Sequence, residues 1–334
     1  MAANRPQSPS PRPSVALAGL LLTLALPACA QPAKTDEAII ADLHERLSQA
    51  NPSYTQGGSF VVEKGQVVEA TLKRSGLVDL GPLAGLPLRR LSCWGNEIES
   101  LAPLRGMPLT LLMAQANRIS DLSPLRGLPL ERLILSKNAL TDLGPLAGSK
   151  TLTTLYVDQN AVADLAPLRG LPLETLRADE NRIADLSSLK GAPLRTLSLD
   201  RNRVTSLAPL TGSQLTTLQV RWNRVTDLAP LRGLPLTKLR VQGNPVRDLT
   251  PLSGMPLEDL YVGETEVVDL TPVVGAPLKL LSYDGARVAK GQEQLEATPG
   301  LLRVDRTGTG EGESFQSPGS SASGVSPRRR APGR

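Results

Sequence analysis

The run Asn117-Arg118-Ile119-Ser120-Asp121-Leu122-Ser123-Pro124-Leu125-Arg126-Gly127-Leu128-Pro129-Leu130, continuing Glu131-Arg132-Leu133-Ile134-Leu135-Ser136-Lys137 to Asn138, decides how the chain is read. Its 21 residues make one turn of a coil. The same register returns at Asn96, Asn160, Asn181, Asn202, Asn223 and Asn244, with Ser75 before them and Thr265 and Ala286 after. These eleven units are spaced 21 residues apart, apart from one 22-residue step from Asn138 to Asn160. Around each marker the apolar positions are fixed: Leu130, Leu133 and Leu135 precede Asn138, and Ile119, Leu122 and Leu125 follow Asn117. A fixed period in this range specifies a solenoid, whose turns bury their leucines only by stacking on their neighbours.

Each unit reads as a strand, a turn and a short return. The Gly ten residues after the marker, Gly127 in the quoted unit, is invariant in the ten internal copies. It demands either a backbone conformation or a clearance that a Cβ would block. The Pro seven residues after the marker occurs in nine of those copies, with Ser188 in the tenth. Proline this frequent argues for tight 3₁₀-like returns instead of α-helices. Asp121 and its equivalents Asp79, Asp142, Asp164, Asp185, Asp227, Asp248 and Asp269 precede the return. They read as caps for the free N–H groups of the turn. The marker asparagines read as buried amides that satisfy backbone groups of adjacent turns.

The pattern Leu-x-x-Leu-x-Leu-x-x-Asn of Leu130 to Asn138 resembles the leucine-rich-repeat family. The short period with Asp-Leu-x-Pro-Leu-x-Gly is similar to its bacterial internalin-type branch. The resemblance covers Gln66 to Val288. It implies an α/β solenoid with a concave parallel β-sheet, short 3₁₀ turns on the convex side, and a function in binding instead of catalysis.

Upstream, residues 1–14 carry Arg5 and Arg12, and Val15–Leu26 is apolar but for Gly19 and Thr23. The run is too short to span a bilayer and reads as a secretory signal. It ends Leu26-Pro27-Ala28-Cys29, which resembles the bacterial lipobox, although Pro27 stands where that motif has a small or hydroxylated residue. The resemblance implies a signal segment 1–28, lipidation of Cys29 and a tether over 29–34. Ala30 occupies the position where Asp often directs inner-membrane retention, so the resemblance points to the outer membrane if the cell is Gram-negative. The net charge of +5 falls to +3 once Arg5 and Arg12 are removed, so this weakly basic chain is not strongly steered toward nucleic acid. Cys93 falls on an inward position and reads as a small buried hydrophobe.

Thr35–Ala50 places Ile39, Ile40, Leu43 and Leu47 on one helical face behind Thr35 or Asp36 as N-cap. Phe60–Glu63 and Gln66–Leu72, joined by Lys64-Gly65, read as a hairpin leading into the first repeat strand. An N-terminal cap is therefore expected over 35–65 and the repeats over 66–289. A C-terminal cap is expected over 290–305, from Gln292–Ala297 and Leu301–Val304. The Gly, Ser, Pro and Arg content of 306–334 predicts a disordered tail.

Residues six, four and two before each marker point out of the sheet. The chain has only two Trp, four Tyr and two Phe, yet Trp94, Tyr156 and Tyr261 fall on these outward columns and Trp222 on the strand's edge. Exposed aromatics on a rigid surface are common interface anchors. Leu111, Met113, Ile134 and Tyr156, with Trp94 nearby, form an expected apolar patch. Asp158, Asp179 and Asp200 form a carboxylate column flanked by Arg177, Arg201 and Arg221 and followed by Arg240 and Tyr261. That column reads first as a self-balancing salt-bridge network, second as a polar specificity region, and third as a calcium site.

His44 is the lone histidine, and no serine elbow or metal-ligand spacing occurs, so no catalytic residue, metal or cofactor is assigned. Arg105, Arg126, Arg169, Lys190 and Arg232 on the convex return read as a solvated face, not a nucleic-acid ridge. The expectation is an exported, lipid-anchored binding module whose concave face recognises a partner protein. A glycan or peptidoglycan binder that stacks the four aromatics on sugars, and a passive envelope scaffold, are the alternatives.

Overall fold

A computed structural model describes residues 35–307. The signal segment, Cys29 and the tether lie outside the described residues, as does the tail beyond Thr307.

Helix α1 (Asp36–Ala50) opens this part of the chain, with the Thr35 side chain accepting the Ala38 N–H at its start. It buries Leu43 and Leu47. The hairpin β1 (Ser59–Glu63) and β2 (Gln66–Thr71) is antiparallel. From β2 onward one short strand follows per turn, from β3 (Arg90–Ser92) to β12 (Leu280–Asp284), all parallel and adjacent in chain order. The sheet has 13 strands and ends at β13 (Arg303–Thr307). That strand pairs Tyr283 with Arg306 and Asp284 with Thr307, so ordered sheet runs past the boundary expected at 305.

The returns between strands are 3₁₀ turns of three residues, from Gly81–Leu83 to Thr271–Val273. Proline sits in the first turn of nearly all of them, where its missing N–H is not needed. Each aspartate before a return accepts the N–H two residues on, as from Ser123 to Asp121 at 2.7 Å and from Ala166 to Asp164 at 2.7 Å. All eight do so, and where the aspartate is absent Ser100 and Ser206 take its place. The acceptor is one residue earlier than the N-cap itself, which is a leucine turned into the core.

The invariant glycine owes its place to conformation. Gly127 has φ +74° and a Cβ there would meet nothing within 4 Å. The left-handed backbone, costly for L-residues, is what excludes other side chains.

Inward leucines fill one continuous core; Leu133, Leu135 and Ile119 are fully buried. Cys93 lies there too, and burial pushes its thiol up to about 12. The asparagines stitch this core at its edge. The Asn202 Oδ1 accepts the Ile183 N–H at 2.9 Å, and its Nδ2 donates to the Ala178 and Leu199 carbonyls at 2.8 and 3.1 Å. Asn96, Asn117, Asn138, Asn160, Asn181, Asn223 and Asn244 repeat the pattern. Asn51, at the end of α1, starts this ladder by accepting the Val78 and Asp79 N–H groups. Thr265 closes it, its hydroxyl donating only to the Val262 carbonyl of its own turn and accepting, weakly, the Val267 N–H. The extra residue of the 22-residue step falls between Gly148 and Leu152, where the Thr151 hydroxyl ties back to the Leu130 carbonyl at 2.8 Å.

Candidate binding face

The outward side chains form three rows across the strands, spaced by the strand separation of about 4.8 Å. The middle row places Met113 opposite Ile134 and Ile134 opposite Tyr156, then Arg177. Leu111 belongs to a different row, between Arg90 and Arg132, and Trp94 to the third. The expected apolar patch is therefore a narrow strip. Its members Leu111, Met113, Ile134 and Tyr156 are half-buried by their neighbours on the sheet. They do not protrude as a broad patch.

The aromatics are organised by arginines. The Arg177 guanidinium lies 5.2 Å from the Tyr156 ring centroid and that of Arg240 lies 4.8 Å from Tyr261. Arg74 covers Trp94 at 4.7 Å. Trp222 is held most closely, with Arg201 at 4.2 Å and Arg221 at 5.1 Å from its ring. Such contacts contribute about 0.5–1 kcal/mol each at exposed sites. On its other side the indole lies over Gly243, where an added Cβ would fall 2.3 Å from the ring. Trp222 is still 36% exposed, the one aromatic among the described residues that stands out of the surface.

Trp222 and Arg201 share an unusual backbone. The residue just before every marker but Ala286 is left-handed, with φ +49° at Trp222 and +54° at Arg201, and Ala116, Lys137, Gln159 and Glu180 do likewise. The strand ends by turning there, which throws these side chains to the rim. The sequence signals it only in part: Gly95 and Gly243 stand in this column with positive φ, but Arg, Ala, Lys, Gln, Glu and Trp occupy it elsewhere.

The carboxylate column is a hydrogen-bonded ladder more than a salt-bridge network. The Asp158 Oδ1 accepts the Asp179 N–H and its Oδ2 the Ser136 hydroxyl. Asp179 accepts the Asp200 N–H at 2.8 Å and the Ser198 hydroxyl at 2.6 Å. Asp200 accepts both the backbone and side-chain N–H of Arg221 at 2.7 Å. Each carboxylate thus caps the next turn. Arg177 sits 3.7 Å from both Asp158 and Asp179, a looser pairing. Burial pushes the Asp179 carboxyl up to about 6 despite these donors. Among the described residues no group of three or more His, Cys, Asp or Glu side chains converges for a metal ion. Asp158 and Asp179 each spend oxygens on protein donors. Ser136 and Ser198, which complete this ladder, carried no signal in the sequence, since only the register of adjacent turns brings them to a carboxylate 19 or 22 residues away.

Fold and face together define a leucine-rich-repeat solenoid. No family model and no curated protein sequence matches the chain. Among solved structures it is similar to an internalin, InlF from Listeria monocytogenes, with a TM-score of 0.59 and 22% identity over 81% of this chain and 87% of that one. The functional domain of InlJ from the same organism aligns with a TM-score of 0.55 and 25% identity, over 72% of this chain and 58% of that one. The plant peptide hormone receptor RGFR1, solved in complex with RGF2, aligns with a TM-score of 0.52 and 22% identity over 62% and 38%.

Proposed function

We propose that this protein is an exported, lipid-anchored leucine-rich-repeat module that recognises a partner protein through its concave sheet and does no catalysis. The observation that carries the reading is Trp222, exposed on a rigid rim between Arg201 and Arg221. Aromatic and arginine side chains held in fixed positions lose little entropy on binding and dominate interface energetics. Tyr156 beneath Arg177 and Tyr261 beneath Arg240 extend the same device along the face. The plant receptor with its peptide is a precedent for ligand recognition on this architecture. Export and anchoring at Cys29 rest on the signal segment and the lipobox resemblance. Among the described residues no helix is long and apolar enough to cross a membrane.

A photoreactive residue at Tyr156 tests this in the native cell, with one at the convex Arg126 as control. A discrete protein crosslinked only from position 156 is expected, and the Tyr156→Ala, Trp222→Ala double variant should lose that partner without unfolding. Crosslinks to cell-wall glycan would turn the reading toward a glycan binder, and none above the control toward a passive scaffold.

A further inference from the structure

One edge of the sheet carries charge that the described residues do not balance with ion pairs. The residue directly after each marker donates its N–H to the turn before: Arg182 to the Val162 carbonyl at 2.8 Å, Arg203 to Ile183 at 2.8 Å and Arg224 to Val204 at 2.9 Å. These bonds fix the three arginines in consecutive turns, one strand spacing of about 4.8 Å apart. All three are exposed.

Elsewhere in the same column charge is neutralised. Arg118 pairs with Glu97 at 3.2 Å and faces Glu99, Arg287 pairs with Asp284 at 3.3 Å, and Glu266 pairs with Arg247. Arg182, Arg203 and Arg224 have no carboxylate within ion-pair distance among the described residues. Arg201 joins them from the adjacent column, held on Trp222 instead of on an acid, while Arg221 is already committed to Asp200 at 2.6 Å. On the convex side the carboxyls of Asp121, Asp185 and Asp248 are held low chiefly by the hydroxyls and N–H groups of Ser123, Ser187 and Thr250, with Arg105, Arg169 and Arg232 adding a smaller attraction. Stacked like charges in fixed register repel, and an anion laid across them relieves the repulsion.

We propose that this edge, formed by Arg182, Arg201, Arg203 and Arg224, docks an extended segment of a partner protein rich in Asp and Glu. Carboxylates match the guanidinium fork in bidentate geometry. A uniformly charged chain, such as a sulfated glycan, would also lie against Glu180 and the Asp158–Asp179–Asp200 ladder next to the arginines. A protein segment places its acids over the arginines alone and its apolar residues over Trp222. The proposal rests on the concave-face reading only in assigning edge and face to one partner.

The test uses the full chain and a fluorescent oligo-glutamate peptide, followed by anisotropy at low ionic strength, where exposed charges are least screened. Two variants carry the same change in net charge: R182E/R203E/R224E on the edge and R105E/R126E/R169E on the convex face. Both are checked for unchanged thermal unfolding. Affinity is expected to fall about tenfold or more in the edge variant and less than about twofold in the convex one, as rim charges act locally. Equal losses in both would overturn the proposal, since attraction would then follow net charge alone. So would absent peptide binding, or binding of heparin without binding of oligo-glutamate. The Tyr156→Ala, Trp222→Ala variant separates the readings. If the edge variant keeps oligo-glutamate while this one loses the native partner, the edge proposal fails and the concave-face reading stands.

Discussion

Replacing Asn202 by Ala tests whether the asparagine ladder holds the turns together. The amide gives three strong bonds: Oδ1 to the Ile183 N–H, and Nδ2 to the Ala178 and Leu199 carbonyls. After truncation the two carbonyls keep a second donor, since Ala178 also accepts Asn181 Nδ2 and Leu199 accepts Asn223 Nδ2. The Ile183 N–H keeps nothing. Asn202 is only 9% exposed, so water reaches the vacated site poorly. One orphaned buried donor costs about 1–3 kcal/mol and the weakened carbonyl bonds add about 1 kcal/mol, giving a loss of about 2–4 kcal/mol. Urea unfolding followed by circular dichroism measures it, and amide exchange should show Ile183 losing protection first. A cost below about 1 kcal/mol with Ile183 exchange unchanged would refute the assignment, because the N–H would then have another partner. Thr265→Ala is the internal comparison. Its hydroxyl makes one good bond, to Val262, so about 1 kcal/mol or less is expected there.

Three further outcomes follow from the geometry. Gly127→Ala should cost about 1–2 kcal/mol although nothing blocks its methyl, because φ +74° is left-handed; an unchanged melting temperature would contradict this. Asp179, whose carboxyl is raised from 3.8 to about 6 in the folded chain, contributes stability that is fully present below pH 3.8 and is lost as pH rises through 6. Asp179→Asn should therefore flatten the stability profile between those pH values, and an unaltered slope would argue that the carboxylate is ionised throughout. Cys93, fully buried with its thiol pushed up to about 12, should resist alkylation in the native protein at pH 8 and react once urea is added. Rapid native labelling at that residue would place it outside the core.

The sequence by itself determined the solenoid. A 21-residue period, leucines at fixed offsets and a buried amide per turn specify stacking turns, because no single turn can bury its own apolar side. Helix α1, the hairpin and the 3₁₀ returns follow from helical spacing, the Lys64-Gly65 turn and repeated proline, all local signals. Asn51 escaped notice since it stands 24 residues before Ser75, outside the period. Only the tertiary structure decided the face. Which arginine covers which ring and how Asp158 reaches the Asp179 N–H depend on the register of turns 21 or 22 residues apart. The left-handed residue before every marker but Ala286 is set by the turn that ends the strand, and beside Gly95 and Gly243 it occurs with Trp, Arg, Lys, Gln and Glu. Gly95 and Gly243 carry a local trace of that conformation, but at the non-glycine positions the neighbouring turns impose it.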